Sequence, residues 1–446
     1  MTAGILSIQN RFQRHLLEQA CRDLREGAQH ACLAKLEFLL TDVAWFSTPP
    51  VLCLRMFLAL MMGARHEAAN IAFYLAGGFA ADERASAVRE TLAGLADWEP
   101  LRDALAGLGF DLRQHDPAVL LEKLAVAAEP TEEPSWNQPP LGRHADAGGP
   151  LVVVSLVNGM GNQLFQYAAA LRRARCSGGV LKFDLSLFSS DRIGTRPFAL
   201  GPFAIDVPIA TPDDLARVEP YAHVHDLTRP DAALMNDRGD CRLLGCWPSA
   251  RYFRGVEAEL RETLRLRDPA PGRAAAESVA KLRRHGPVIG LHVRRGDHLA
   301  PAYRNAYAPL PVDYYRAALR HFPDDRAIVV FSDTAADRDW CAETFADLGG
   351  VIEVSRGRSD IEDFAYLAAC DHQIVSVSSF SWWAAWLNPN SSKKIVAPHP
   401  ALGAGPRHAH LLLAGRTPRD WRTLNRDDLV ADARTGQVPE SAVTPG

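Results

Sequence analysis

The sequence lacks paired cysteines, although it contains eight cysteines in 446 residues. No CxxC motif occurs, and Cys241 and Cys246 have no histidine or cysteine neighbours at the spacing of a zinc site. This excludes the common zinc-finger and dithiol redox motifs. We therefore expect reduced and mostly buried cysteines, which are typical of a cytoplasmic protein.

A strong charge of either sign is also absent. The formal net charge is −4, and charged residues make up 23% of the chain. Nucleic acids and anionic membranes attract proteins that carry an excess of basic residues. We therefore expect no nucleic-acid partner, and any basic site must be local.

Long apolar runs are missing as well. The start of the chain, MTAGILSIQNRFQRH, lacks the apolar core of a signal peptide. The most apolar early stretch, Val51–Met62, is too short to span a bilayer and contains Arg55, so it is typical of a buried helix. We expect a cytoplasmic protein, with peripheral contact at the inner face of a membrane left open.

Two common nucleotide-binding motifs are incomplete. The turn Gly159-Met160-Gly161 begins like a dinucleotide fingerprint, but Leu164 stands where the third glycine would be. A P-loop would require Gly-Lys-Ser or Gly-Lys-Thr, and here Gly161 is followed by Asn162 and Gln163 instead. The missing third glycine argues against an NAD-dependent oxidoreductase.

The chain divides by composition into five segments. Residues 1–127 carry apolar residues at helical spacing, such as Phe12, Leu16 and Ala20, and predict a helical accessory domain. Residues 128–149 are rich in proline, glycine and charge, which is typical of a linker. Strand and helix patterns alternate through 150–285 and 286–415, and 416–446 is assigned to a C-terminal tail.

This alternation predicts an α/β fold with parallel sheets. Apolar runs indicate strands, several of them buried on both faces, at Leu151–Val157, Val180–Phe183, Val288–Val293, Ala327–Phe331, Val351–Val354, Gln373–Val377 and Lys394–Ala397. Helical patterns lie between them, at Asn162–Arg175, Val312–His321, Ala335–Leu348, Ile361–Ala369 and Ser381–Leu387. The stretch Arg261–His285 is expected to separate two such units. Ligands of open α/β sheets bind beyond the carboxyl ends of the strands, so the loops there are the informative ones.

The loop after the first strand combines glycines with amides. The two glycines, Gly159 and Gly161, permit a tight turn and close backbone approach, and the helix that follows offers free N–H groups. Asn162 and Gln163 are suited to orient sugar hydroxyls. The alternative is a tight strand–helix turn that binds nothing.

The loop after Val288–Val293 carries two adjacent arginines, Arg294 and Arg295. The planar guanidinium binds phosphate oxygens in a bidentate way, so these residues predict an anion site. Asp297 could hold one arginine in place. The alternative is a structural arginine–aspartate bridge at a surface turn.

Two further strand ends carry polar side chains. Asp333 is expected either to accept hydrogen bonds from a nucleoside or to cap the following helix. Ser378 and Ser379 open a helix whose hydroxyls and free N–H groups suit a phosphate or a base edge. Trp382 and Trp383 are expected to be core anchors.

In their order along the chain, these loops resemble the α-1,2-fucosyltransferases, a family of inverting enzymes that use GDP-fucose. The resembling segments are GMGNQLFQYA at 159–168, GCWPSARYF at 245–253, LHVRRGD at 291–297, FSD at 331–333, SSFSWWAAWLN at 378–388 and KIVAPHP at 394–400. They cover about residues 150–410, and the helical region has no counterpart. Thr334 and Ala384 stand where Asp and Gly are common in the family, which leaves the choice of acceptor open.

The resemblance implies a GT-B-like pair of Rossmann-type domains, with the acceptor side at 150–285 and GDP-fucose at 286–415. It implies that Arg294 grips the β-phosphate. The other implied donor contacts are His292, Arg295, Asp333, Ser378, Ser379 and Phe380. The implied acceptor-side residues are Gly161, Asn162, Gln163 and Asp184.

The implied catalytic residues are Arg294, Asn162 and Asp297, and the general base stays unassigned. Asp184 and Asp297 are carboxylates on suitable loops, although Asp184 is equally suited to cap the next helix. The one DxD motif, Asp337-Arg338-Asp339, lies inside a helical pattern. No cofactor or metal is therefore expected, because arginine can replace Mg²⁺ at the diphosphate.

The implied function is transfer of L-fucose to the 2-hydroxyl of a β-galactoside in surface-polysaccharide synthesis. The partners would be GDP-fucose and a glycan acceptor. Two alternatives stay open. One is a fucosyltransferase that makes another linkage or acts on protein, and the other is a non-catalytic sugar-nucleotide-binding scaffold.

Overall fold

The structure is a computed structural model. It describes residues 149–429 except 190–195, 225–233, 235–236, 300–307, 400–401 and 403–415, together with most of 49–124 and scattered positions between 19 and 32. Phe12 and Leu16 of the predicted helical pattern, and most of the predicted linker, lie outside the described residues.

The described part of the helical region forms the helices α1 Pro49–Met61, α2 Arg65–Gly78, α3 Ala81–Ala93 and α4 Glu99–Ala106. The apolar stretch expected to be a buried helix forms α1, whose Leu52, Phe57 and Leu58 are buried. These side chains belong to a hydrophobic cluster that also includes Ile71 and Val88. The helical region therefore has its own core. Among the described residues, no helix is long and apolar enough to cross a membrane.

The first α/β unit is built on a parallel sheet in the order β2-β1-β4-β3. Its strands are β1 Leu151–Ser155, β2 Val180–Asp184, β3 Ala222–Val224 and β4 Cys241–Leu244. Its helices are α5 Met160–Ser177, α6 Pro212–Val218 and α7 Glu257–Thr263. Every residue of β1 is buried, as its continuous apolar run predicts.

The second α/β unit is built on a parallel sheet in the order β10-β9-β8-β5-β6-β7. Its strands are β5 Val288–Val293, β6 Ala327–Ser332, β7 Val351–Val354, β8 His372–Ile374, β9 Ile395–Pro398 and β10 Arg422–Leu424. The helices that precede and follow these strands are α8 Ala270–Leu282, α9 Val312–Leu319, α10 Ala335–Thr344, α11 Asp360–Ala369 and α12 Ser379–Leu387. The fold class predicted from the sequence, a GT-B-like pair of parallel-sheet units after a helical region, is confirmed.

Two segments carry more structure than the sequence indicated. The stretch 261–285, expected only to separate two units, contains the end of α7 and the whole of α8. Pro269 and Pro271 stand at the start of α8, where a proline costs no hydrogen bond. The segment 416–446, set apart as a tail, contributes β10, which pairs with β9.

Aromatic side chains join the two α/β units in one core. Phe165 on α5 lies 4.7 Å from Trp382 and 5.0 Å from Trp383, between ring centroids. Phe253 stacks on Trp383 at 5.2 Å. Each such pair contributes about 0.5–1.5 kcal/mol beyond its buried area. Both tryptophans are buried, as expected of core anchors.

The helical region contacts the second unit beside the end of β9. The ring of Phe73 on α2 lies 4.2 Å from the ring of His399, between centroids. Gly77 faces the same imidazole so closely that a Cβ at this position would overlap it. The backbone N–H of Ala81 donates to Asp427 at 2.8 Å. The helices are thus attached to the unit that carries the arginine loop.

Candidate active site

The glycine turn after β1 meets the second unit directly. A Cβ at Gly161 would overlap the backbone of Ser379 and Phe380, so only glycine allows this approach. Asn158 has a φ of +67°, a conformation that costs a non-glycine residue energy and is concentrated at functional sites. The turn is therefore a point of close contact between the two units.

The two amides of the turn do different work. The Asn162 carbonyl oxygen accepts a hydrogen bond of 2.8 Å from the hydroxyl of Ser379 in the other unit. Gln163 is completely buried and bonds within its own unit. Its amide donates to the carbonyls of Asn158 and Pro197 and accepts from the N–H of Ala199. Asn162 lies at the cleft, and Gln163 holds the turn together.

The arginine loop after β5 also separates into two roles. Arg294 is 16% exposed and pairs with Asp333 at the end of the neighbouring strand β6. Arg295 lies 3.7 Å above the ring of Trp340 and 3.5 Å from Asp337. These contacts with α10 fix Arg295 against its own unit. Arg294, in contrast, bonds a side chain that follows β6, so its guanidinium lies beside the carboxyl ends of β5 and β6.

His292 is buried behind this loop. Its Nδ1 lies 2.7 Å from the hydroxyl of Ser376, and its ring stacks on Phe380 at 5.5 Å. Burial lowers the pKa of the imidazole to about 4. His292 is therefore neutral near pH 7. Through Phe380 it contacts the first turn of α12.

Asp333 does not cap α10. That cap is Thr334, whose hydroxyl accepts from the N–H of Asp337. Asp337 in turn accepts from the backbone N–H of Gly296, so it anchors the arginine loop in the manner expected of Asp297. The side chain of Asp297 lies outside the described residues, and its backbone belongs to a short 3₁₀ helix.

The amino end of α12 opens into a pocket at the carboxyl ends of β8 and β9. Serine side chains and backbone line one side of it, and Phe165 from the first unit contributes to the wall. The lining residues are Phe165, Val375, Ser376, Val377, Ser378, Ser379, Trp382, Ala397, Pro398, Arg416 and Thr417. Free N–H groups at a helix start and an arginine beside them suit an anionic ligand.

Asp184 at the end of β2 is buried and fully occupied. It accepts hydrogen bonds from the Ser155 hydroxyl at 2.6 Å, the Ser186 N–H at 2.9 Å and the Arg242 guanidinium at 2.9 Å. Burial alone would raise the pKa of this carboxyl, but these hydrogen bonds hold it below its ordinary value. The contact with Ser186 matches the capping alternative that the sequence left open.

The DxD motif is engaged in ion pairs rather than grouped as a metal site. Asp337 faces Arg295, and Asp339 pairs with Arg356 at 2.7 Å. Within the described ranges, no three histidine, cysteine or acidic side chains cluster as metal ligands.

Several residues at this cleft were not found from the sequence. Arg196 approaches Asp333, Ser376 contacts His292, and Arg416 lines the pocket. None of them belongs to a recognisable motif. The sequence places Ser376 inside the predicted strand Gln373–Val377, but β8 ends at Ile374, so Ser376 lies in the loop between β8 and α12.

Comparison with known proteins gives a family match over the two α/β units. The model described as glycosyl transferase family 11 matches residues 150–409, which is more than half of the chain. The match begins where the first α/β unit begins, and the helical region lies outside it.

Three relatives illustrate the similarity. The O-antigen biosynthesis glycosyltransferase WbnK of Escherichia coli is 35% identical over 114 residues, which cover 24% of this chain and 37% of that protein. Galactoside alpha-(1,2)-fucosyltransferase 1 of Lagothrix lagotricha is 29% identical over 305 residues, covering 63% of this chain and 77% of that protein. An alpha-1,2-colitosyltransferase of Escherichia coli is 24% identical over 270 residues, covering 56% and 92%.

Among solved structures, a mutant of Arabidopsis thaliana FUT1 in complex with GDP aligns with a TM-score of 0.40 and 13% identity. That alignment covers 58% of this chain and 72% of the other.

Proposed function

Because the chain belongs to glycosyl transferase family 11, we propose that it is an inverting enzyme that moves L-fucose from GDP-β-L-fucose to a sugar hydroxyl. The relatives named for α-1,2 transfer support the 2-hydroxyl of a β-galactoside as the acceptor. The relative named for O-antigen biosynthesis supports a role in surface-polysaccharide synthesis.

The observation that carries this proposal is the position of Arg294. Its guanidinium lies at the carboxyl end of β5, is partly exposed and pairs with Asp333. The start of α12, with Ser378 and Ser379, follows the adjacent strand β8 of the same sheet. A diphosphate at this edge of the sheet would meet a guanidinium, hydroxyls and free N–H groups.

The proposed reaction exchanges one bond at the anomeric carbon. The acceptor hydroxyl attacks from the face opposite the diphosphate, a new C–O bond forms, and the bond to the β-phosphate oxygen breaks. GDP leaves with the electron pair, so negative charge grows on the β-phosphate. Arg294 stabilises this charge more strongly in the transition state than in the bound donor, which is what accelerates the step.

The acceptor hydroxyl gives up its proton to water or to an oxygen of the departing diphosphate, so this scheme needs no strong base. The transition state has oxocarbenium character, so the attacking hydroxyl becomes acidic only late in the reaction. Asp184 is buried and hydrogen-bonded on both oxygens, which makes it a support for the first sheet rather than a proton acceptor. Asn162 is placed beside Ser379 to orient the acceptor hydroxyl.

We propose that transfer needs no metal ion, because a guanidinium supplies the charge that Mg²⁺ supplies elsewhere. Both aspartates of the DxD motif already face arginines, which supports this view. EDTA should therefore leave the rate of GDP release unchanged. Complete loss of activity with EDTA and its return with Mg²⁺ would contradict the proposal.

The function is tested by measuring GDP release with GDP-fucose and a panel of glycans. We expect release to depend on a β-galactoside, with an α-1,2 linkage in the isolated product. The colitosyltransferase relative makes GDP-colitose the appropriate competing donor. Preference for GDP-colitose would change the donor sugar in the proposal, and another linkage in the product would change the acceptor. If GDP is released from neither GDP-fucose nor GDP-colitose, the proposal is overturned.

A further inference from the structure

A second arginine, from the opposite unit, points at the same position as Arg294. Arg196 precedes a segment that Gln163 holds in place through the carbonyl of Pro197 and the N–H of Ala199. Gln163 is completely buried, so this attachment is rigid. The backbone that carries Arg196 is therefore fixed against the glycine turn of the first unit.

The side chain of Arg196 crosses to the second unit. One of its terminal nitrogens lies 3.7 Å from an oxygen of Asp333, and Arg294 bonds the same oxygen. Arg196 remains 48% exposed. An exposed ion pair of this length stabilises a fold very little, so stability does not explain why Arg196 lies here.

Two guanidinium groups around one carboxylate oxygen form an arrangement that fits a diphosphate better than it fits aspartate. The carboxylate offers two oxygens, whereas a diphosphate offers several oxygens and more charge, so each arginine could bind in a bidentate way. Asp333 keeps the two cations close together without the donor. It is the anion already present at the position where the leaving group would lie.

We propose that Arg196 is a second donor-binding residue, which binds the diphosphate of the sugar nucleotide together with Arg294 and draws the first unit onto it. The proposal rests on the proposed function, since it assumes that the cleft binds a nucleoside diphosphate. It assigns part of the donor contact to the acceptor-side unit, which the sequence motifs do not indicate.

The test is calorimetric titration of the full chain with GDP and with GMP. Arg196→Ala should weaken GDP binding roughly 10- to 100-fold, as expected for loss of a charged hydrogen bond. Because GMP lacks the β-phosphate, its affinity should change much less. Arg196→Lys should recover part of the loss, since lysine keeps the charge but not the planar fork.

The matched control is Arg217→Ala. Arg217 belongs to the same unit, is similarly exposed at 52% and is also paired with an aspartate, Asp240. This variant should bind GDP like the wild type. Equal GDP affinity in Arg196→Ala and wild type would overturn the role of Arg196 alone. Equal losses for GDP and GMP would also overturn it, because the residue would then act on the fold or the nucleoside.

The two levels of the proposal can fail separately. If the wild-type chain binds neither GDP nor GMP, the proposed function fails and the role of Arg196 fails with it. If the wild type binds GDP more tightly than GMP and Arg196→Ala removes that difference, both are supported.

Discussion

The two α/β units place polar side chains at equivalent strand ends but use them differently. In the first unit, the side chains of Gln163 and Asp184 are buried, and they form hydrogen bonds with neighbouring backbone groups and side chains. In the second unit, Arg294 and Asp333 stay partly exposed beside the cleft. The first unit therefore uses its motif to build a rigid turn, and the second uses its motif to present charge.

We therefore expect Gln163 to support the turn rather than to contact a ligand. A buried amide that completes all its hydrogen bonds within the protein is a structural element, whatever its place in a signature. An ion pair at a strand end can exchange its carboxylate for a ligand anion. The contrast can be tested by removing one residue at a time from each unit.

The largest effect on activity is expected at Arg294. Arg294→Ala should lower turnover by ~10²–10³-fold, because a preorganised charge at the leaving group is lost. The variant should fold normally, since the side chain is not in the core. Turnover is measured as GDP release, and Arg316→Ala, which removes an exposed arginine paired with Asp347, serves as the control. Near-normal turnover in Arg294→Ala would contradict the proposal that Arg294 stabilises the negative charge on the leaving group.

The largest effect on stability is expected at Gln163. Gln163→Leu should lower the free energy of unfolding by about 3 kcal/mol, because two carbonyls and one N–H lose their buried partner. Urea denaturation measures this loss. A variant that is as stable as the wild type but inactive would show that Gln163 belongs to the site instead.

His292 should give an effect that depends on pH. Its folded pKa of about 4 lies below the ordinary histidine value, so the unfolded chain binds a proton first as the pH falls. The contribution of His292 to the free energy of unfolding is complete above about pH 6.5. It falls by roughly 3 kcal/mol as the pH drops from about 6.5 to about 4. The stability difference between wild type and His292→Gln should shrink by that amount between pH 7 and pH 4. A constant difference in urea midpoints would contradict a buried neutral imidazole.

The smallest effect is expected at Asn162, next to Gln163. Asn162→Ala removes one partly exposed hydrogen bond to Ser379, so the unfolding free energy should fall by only about 1 kcal/mol. Turnover with saturating donor should fall about tenfold if the acceptor hydroxyl is positioned there. The paired measurements on Asn162 and Gln163 separate contact with the cleft from support of the turn.

Most strand positions were accessible from sequence because parallel strands buried on both faces read as unbroken apolar runs. β5 is buried throughout and begins and ends where its run does. β7 also has its predicted bounds, although it is only partly buried. β3, β4 and β10 were missed, since segments such as Cys241–Leu244 and Arg422–Leu424 are short and mix polar with apolar residues. α8 was missed because prolines at a helix start resemble a break.

The site could be predicted only as far as it lies at strand ends. Arg294 and Asn162 each follow a strand, so the rule places each of them at the ligand-binding edge of its own sheet. Arg196 lies in an irregular segment, so its approach to Asp333 depends on how the two units pack. The inward direction of Gln163 likewise depends on contacts that no local pattern contains.

Through the contact between Gly77 and His399, a residue beside the pocket packs against a helix that lies outside the family match. His399 directly follows Pro398, which lines the pocket, and its imidazole occupies the space into which a Cβ at Gly77 would extend. The packing of His399 thus favours glycine at position 77, on a helix outside residues 150–409. Alanine at position 77 would force this imidazole to move, so the packing of the second unit limits which side chain fits on a helix outside the family match.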